Sequence, residues 1–459
     1  MVSAEVVRNR QFYNRFWVIF IFLGLMGCLS DDPIAPDPFP PEPPRSAFLC
    51  APFINTGYCD KLSYHPGERM QVFFESSQPV TLCRITLFSL SGDSVFSIAS
   101  TLPKVPQLSA DASVNGYDYP VAVEFTVPEL KSGIYLIENK IPFIVKTQEA
   151  VDIVVVYPSN TANAYAVSGG KSLYSAITQR PTAVSFQRPI ALQSLSEFCL
   201  KWFTSLTDLR IGFVADMDMD NYENIAHAKV LVIPGHSEYW TRPARKNFDQ
   251  FVGLGGHALI LSGNTMWWQV RYSEDKKKLI CYKDVLTDPI HDLLLKTIEW
   301  NSPSLKYSIL SSIGAHFPNG GYGLRDDRGW NGYKIVTPTS PLFEGLDLKK
   351  GDIFPLPSLE YDGSPLSGYD EGGYPILDLG ALNFEKVELL AFDKGYRVTE
   401  TTGTFIVFQK AITSGIIINT ASTDWCSANG MGGRSEKTIK AITYNALMKL
   451  VNNEVIFSQ

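Results

Sequence analysis

Asp152-Ile153-Val154-Val155-Val156-Tyr157, Lys229-Val230-Leu231-Val232-Ile233-Pro234 and His257-Ala258-Leu259-Ile260-Leu261-Ser262 decide the fold. Each is a short, mostly apolar run without polar alternation, as a strand buried on both faces requires. A fourth run lies at 210–214, and helix-length segments at 190–203 and 242–252 stand between the runs. Strands alternating with helices in this way predict an α/β domain over residues 149–459, built on a parallel sheet covered by helices. Further strands are expected at 388–392, 404–409 and 415–419, with a closing helix at 437–452. The aromatic-rich stretch 273–380 predicts loops and small excursions, and no internal repeat is visible.

Upstream of residue 149 the pattern is different. Segments 71–75, 80–90, 122–127 and 133–137 are rich in β-branched and aromatic residues and separated by Pro, Gly, Asp and Ser, so residues 46–148 are expected to form an all-β sandwich. Before them, Arg8, Arg10 and Arg15 precede an apolar run at 16–26. That run is shorter than the roughly 20 residues of a membrane-spanning helix and fits the apolar part of a secretory signal. Leu25-Met26-Gly27-Cys28 resembles a bacterial lipobox, predicting a signal peptide over 1–27, a lipid on Cys28 and a chain tethered to the membrane in the cell envelope; the competing reading is a short uncleaved anchor. Residues 31–44 hold seven prolines in fourteen positions, so the stretch 28–45 reads as an extended tether. An exported chain permits disulfides, and Cys50 and Cys59 are close enough in sequence to close a small loop.

Composition limits function. The 459 residues carry a formal charge of −7, with 45% apolar and 19% charged, which excludes both a disordered chain and a nucleic-acid binder driven by backbone charge. Aromatics reach 12%, enough to ask what they do.

Three loops after the apolar runs carry residues suited to chemistry. After 229–233 comes Gly235-His236-Ser237-Glu238-Tyr239-Trp240, in which His236 and Glu238 project to one side of an extended segment and could share a metal. Equally, Glu238 could cap the next helix while His236 bonds the backbone. After 258–261 comes Ser262-Gly263-Asn264-Thr265-Met266-Trp267-Trp268, which lacks the spacing of a nucleophile elbow but offers Asn264 as a donor to a polarised carbonyl. After 153–156 come Tyr157, Tyr165 and Gly169-Gly170-Lys171-Ser172-Leu173-Tyr174. The last string resembles the end of a P-loop, yet Tyr165 stands where the first glycine belongs. Tyrosine suits a hard cation such as ferric iron, and these loops contain no thiolates.

Together these strings, with Arg271, Cys281-Tyr282-Lys283, Gly332-Tyr333, Leu359-Glu360-Tyr361-Asp362 and Thr423-Asp424-Trp425, resemble the C-terminal region of the large (β) subunit of N,N-dimethylformamidase, from about Ser132 onward. The resemblance implies an immunoglobulin-like sandwich followed by a flavodoxin-like, class I glutamine amidotransferase-like α/β domain, without the amidotransferases' nucleophilic cysteine. No sign of the enzyme subunit's additional N-terminal domain is visible. It further implies hydrolysis of a linear amide at a mononuclear iron bound by tyrosines and a glutamate. On the matching positions, Tyr165 (with Tyr157 as its competitor), Tyr135 and Glu238 are the expected ligands, His236 stands in or beside the shell, Glu360 is the general base and Asn264 orients substrate. The rival expectation is a surface lipoprotein that binds a carbohydrate or other small ligand without turnover, using Trp240, Trp267, Trp268 and Trp330 as walls. Either way the partners expected are a small molecule and the membrane, not nucleic acid, and an oligomer is compatible with the sequence.

Overall fold

The structure is a computed structural model that describes residues 48–323 and 329–458. The signal segment, Cys28 and the tether lie outside the described residues. Among the described residues no helix is long and apolar enough to cross a membrane.

Residues 54–145 form two facing sheets. One orders Ile54–Cys59, Arg69–Ser76 and Val123–Thr126; the other orders Ser63–Tyr64, Ile141–Val145, Gly133–Ile137, Val80–Ser89 and Ser94–Leu102. Burial alternates along Arg69–Ser76, placing Met70, Val72 and Phe74 inward against Ile85, Leu87, Ile98, Ile137 and Phe143. The second sheet is mixed, because Ser63–Tyr64 runs parallel to Ile141–Val145.

Cys50 is bonded to Cys83, not to Cys59. Cys50 lies beside the strand Val80–Ser89, its N–H bonded to the Arg84 carbonyl at 3.0 Å. Cys59 stands at the far end of a six-residue strand, about 20 Å along, and is a buried free thiol. The bridge spans 33 residues, so replacing both cysteines by serine is expected to cost about 3.5 kcal/mol of stability from loop entropy. Denaturant unfolding of the two proteins without reductant measures it.

The larger part is organised on an eleven-stranded sheet. Its main strands are β1 (Val151–Tyr157), β2 (Ile211–Ala215), β3 (Ala228–Gly235), β4 (His257–Ser262), β5 (Glu360–Gly363), β6 (Lys386–Tyr396), β7 (Glu400–Gln409) and β8 (Ile416–Asn419). Across the sheet the order is β2-β1-β3-β4-β8-β7-β6, then Gly321–Tyr322, then β5. From β2 to β8 neighbours run parallel, whereas β7 is antiparallel to both β8 and β6, and the strands beyond β6 pair antiparallel.

The expected flavodoxin-like parallel sheet, and with it the amidotransferase-like architecture, is therefore corrected. The protein is mixed α/β and rich in strand, 34% against 20% helix, with too little helix to coat both faces of a doubly wound sheet. Connection length explains the antiparallel flank. Three residues join β6 to β7 and six join β7 to β8, too few for the crossover that a parallel pair needs.

Side chains from successive residues feed two cores. Ile153, Val155, Val230, Val232, Leu259 and Leu261 pack with α2 (Glu197–Ser205) and α4 (Glu436–Val451). Val154, Val156, Leu231, Ile233 and Ile260 pack with α3 (Arg242–Gly253). The α4 helix buries Ile439, Ile442, Thr443, Ala446, Leu447 and Leu450, one stripe at helical spacing. A short α1 (Ser159–Tyr165) leaves the end of β1.

Candidate functional site

Three of the loops described above leave the carboxyl ends of β1, β3 and β4, where open α/β sheets place their sites. The loop after β4 also closes on Glu360 and the segment after β8 because Gly263 has no side chain: a Cβ there would lie 2.6 Å from the Thr423 nitrogen and 2.9 Å from the Glu360 carbonyl. The turn after it is strained, with Asn264 and Met266 in the left-handed region at φ 49° and 57°. It is pinned by the Thr265 N–H bonded to Asp362 at 3.1 Å and by the Thr265 hydroxyl bonded to Ser262 at 3.0 Å.

Glu238 is the centre of the cluster. It is 2% exposed, with its backbone N–H bonded to the Thr161 hydroxyl at 2.9 Å. The Tyr165 hydroxyl donates to it at 3.0 Å, and the Tyr174 hydroxyl reaches both carboxylate oxygens at 2.5 and 2.6 Å. The two phenol rings stack with centroids 4.1 Å apart. The two tyrosines are 41% and 45% exposed as residues, while their hydroxyls point inward to Glu238. Burial, then the Glu238 charge, push both phenols far above their usual range.

His236 completes the group. Its Nδ1 lies 3.0 Å from the Gly263 carbonyl, so that nitrogen carries a proton, and Nε2 lies 3.1 Å from the Tyr165 hydroxyl, 3.3 Å from Glu238 and 3.9 Å from Glu360. Burial opposes a charged imidazole, but the hydrogen bond and charge of Glu238 and the charge of Glu360 outweigh it and raise the group to about 9. Glu238 is correspondingly lowered: burial would raise it, and the bond and charge of His236, then Lys283, prevail. Glu360 moves the other way, raised by burial and by Glu238 against the pull of His236. Two carboxyl groups in one site are thus shifted in opposite directions.

Asn264 donates its Nδ2 to Glu360 at 3.1 Å, while its Oδ1 is buried without a partner. It orients Glu360, and what it offers to a bound molecule is an acceptor. The Lys283 ammonium, 4.0 Å from the Tyr174 ring centroid and 4.6 Å from that of Trp268, donates to the Leu173 carbonyl at 3.2 Å.

The structure thus brings together Tyr165, His236, Glu238, Asn264 and Glu360. It does not bring Tyr135. That residue is 8% exposed in the sandwich core, its hydroxyl bonded to the Lys131 carbonyl at 2.8 Å and its ring stacked on Phe143. Tyr157 is also elsewhere, its hydroxyl accepting the Gln193 N–H at 3.1 Å. The second phenol is Tyr174, and neither it nor Lys283 carries a spacing in the sequence that marks it as a site residue. Of the tryptophans expected as walls, Trp240 and Trp267 are 2% and 7% exposed core residues, and Trp330 packs on Phe392.

A neighbouring staple holds the loop after Lys283. Asp288 receives both Arg271 guanidinium nitrogens at 2.9 Å, together with the Thr297 N–H and hydroxyl. Burial raises its carboxyl, yet the bonds from Arg271 and Thr297 outweigh this and hold it well below the usual range. Its folded value lies below the unfolded value near ~3.9, so its stabilisation is complete above that pH and is lost as pH falls through the folded value. Asp288→Asn is expected to cost about 3 kcal/mol at neutral pH by leaving Arg271 without its counter-ion and to flatten the acid limb of stability below about pH 4. Urea melts across pH measure both.

Among the described residues no group of three or more His, Cys, Asp or Glu side chains is placed to hold a metal. A cation in this cluster would therefore take ligands from the phenols. The donor set fits one: two phenol oxygens and a carboxylate, all hard, converge with their protons where a cation would sit.

Fold and cluster define an α/β protein that gathers phenols and carboxylates at the carboxyl ends of its strands. Over residues 92–433 the sequence matches the family described as N,N-dimethylformamidase beta subunit-like, C-terminal. The chain belongs to that family. No curated protein matches it. Among solved structures it is similar to a ThuA-like protein from Bacteroides uniformis (12% identity, 66% of this chain and 91% of that one, TM-score 0.33). It is also similar to a β-galactosidase from Bacillus circulans sp. alkalophilus (10% identity, 64% and 31%, TM-score 0.31). Likenesses this distant carry no functional argument.

Proposed function

We propose that the protein hydrolyses the C–N bond of a small amide at a mononuclear ferric site held by Tyr165, Tyr174 and Glu238. The observation that carries this reading is the convergence of both phenolic hydroxyls on one buried carboxylate, beside the His236–Glu360 pair. Family membership supports it. Bound there, ferric iron supplies Lewis acidity that polarises a carbonyl and acidifies water.

The chain's own groups do the rest. Glu360, raised above its ordinary range, is suited to accept a proton from water and return it to the departing amine. Asn264 keeps Glu360 oriented through Nδ2 and leaves Oδ1 to receive an N–H of the bound molecule. His236, anchored on the Gly263 carbonyl, stands between Glu238 and Glu360 with its Nε2 facing both. Trp268, Lys283, Tyr165 and Tyr174 edge the approach. A binding-only role is not favoured, because Trp240 and Trp267 are committed to the core.

The test is amine release. Full-length protein loaded with iron and offered a series of N-alkyl formamides and acetamides is expected to release amine and acid in equal amounts from at least one. Bound iron with no amine from any of them would reject the activity. Attachment at the cell envelope is the further part of this reading: fatty-acid labelling in a bacterial host is expected to mark the chain and to vanish in Cys28→Ala.

A further inference from the structure

Arg188 is fully buried, and all its partners are neutral oxygens. Its Nε donates to the Ser185 carbonyl at 2.9 Å. One terminal nitrogen reaches the carbonyls of Ala166, Ser168 and Lys171 at 3.0, 2.5 and 3.3 Å. The other reaches the Asn163 carbonyl and Oδ1 at 2.8 and 2.9 Å. Asn163 and Ala166 flank Tyr165 in sequence, and Lys171 leads into Ser172-Leu173-Tyr174. The carbonyls at the end of α1 have no continuing helix to bond them, so a buried cation there meets their partial negative charge.

Other contacts lead to the same loop. The Leu173 N–H bonds the Ala164 carbonyl at 3.0 Å, tying the neighbours of the two tyrosines together. Gly169, at φ 78°, lies so close to the sandwich that a Cβ would come within 2.4 Å of the Ser113 nitrogen. Arg188 itself follows Ala183–Ser185, an edge of a four-stranded sheet whose other edge is Tyr239–Thr241, immediately after Glu238. One small sheet thus carries the carboxylate at one edge and, at the other, the guanidinium that gathers the tyrosine loop.

We propose that Arg188 is a positioning residue: it binds the 163–171 carbonyls so that the Tyr165 and Tyr174 hydroxyls meet Glu238. Its effect on a metal rests on the ferric reading above, whereas its effect on the loop does not. Burial of an unpaired guanidinium is costly, as the lowering of Arg188 to about 10 by burial reflects, and it is offset only by a full set of hydrogen bonds.

The experiment compares full-length wild type with Arg188→Met and Arg188→Lys, first without iron by hydrogen exchange and then by ferric titration followed through tyrosinate absorption. In Arg188→Met the amides of residues 163–174 are expected to exchange at least tenfold faster, with β1, β3 and β4 unchanged. Iron affinity is expected to fall at least tenfold with a shifted band, and Arg188→Lys, which keeps the charge but not the fork, to fall between. Unchanged exchange over 163–174, or a rise shared equally by the central strands, would overturn the positioning role. So would faster loop exchange with wild-type iron affinity and band. Should Arg188→Met fail to fold, Arg188→Lys read the same way decides. Should wild type bind no iron, the ferric reading falls and the exchange arm still judges Arg188.

Discussion

Glu238→Gln is expected to fold, to bind ferric iron at least about 100-fold more weakly than wild type, and to lose amide hydrolysis. The amide keeps an oxygen for the Tyr165 and Tyr174 hydroxyls, so the loops stay joined, but the negative charge that both phenols, His236 and Lys283 face is removed. Loss of groups that merely bond a metal's ligands costs roughly 10–100-fold in affinity, and loss of a charged ligand costs more. Isothermal titration with ferric citrate, alongside the amine-release assay, measures both. Wild-type affinity in the variant would move the metal away from Glu238.

Glu360→Gln separates chemistry from binding. The expected result is a fall in kcat of roughly 10²–10⁴, the range for a lost general acid–base, with iron binding unchanged. Asn264 can bond the new side chain as it bonds the old one, so orientation is kept and only proton transfer is lost. An equal fall in iron affinity would instead make Glu360 a ligand. Undiminished kcat would pass the proton to another group, and Asp362, buried behind the same turn and raised to about 7 by that burial, is the one to test next.

The apolar runs at β1, β3 and β4 announced strands buried on both faces, and each is one, because they are short and rich in β-branched residues. Strand direction was less legible. The runs at 388–392 and 404–409 leave a gap long enough for a crossover, whereas the real strands extend through Lys394-Gly395-Tyr396 and Glu400-Thr401-Thr402 to leave a three-residue hairpin. Polar residues at strand ends hide such extensions. The five-residue gap after 409 did carry the signal, since no parallel connection is that short.

His236, Glu238, Asn264 and Glu360, which the structure brings together, each stand beside a strand end or within a long matching string, and that is what singled them out in the sequence. Tyr135 misled because a phenol in a turn before a strand has two uses, and its hydroxyl here serves the sandwich by bonding Lys131. Tyr174 is nine residues beyond Tyr165 in a loop without regular periodicity, so spacing alone could not place it. That loop is bonded by Arg188 mainly through backbone oxygens, which leave no trace in side-chain pattern.

Ferric loading of wild type, Tyr174→Phe and Tyr135→Phe, followed by metal quantification and visible absorption, decides whether iron sits on the Tyr165–Tyr174–Glu238 cluster. Wild type is expected to bind roughly one iron per chain with a tyrosinate-to-iron band, as hard oxygen ligands favour. Tyr174→Phe is expected to lose tight binding and Tyr135→Phe to keep the wild-type spectrum. Wild type without iron or band, or a band that survives Tyr174→Phe and disappears in Tyr135→Phe, would contradict iron at that cluster.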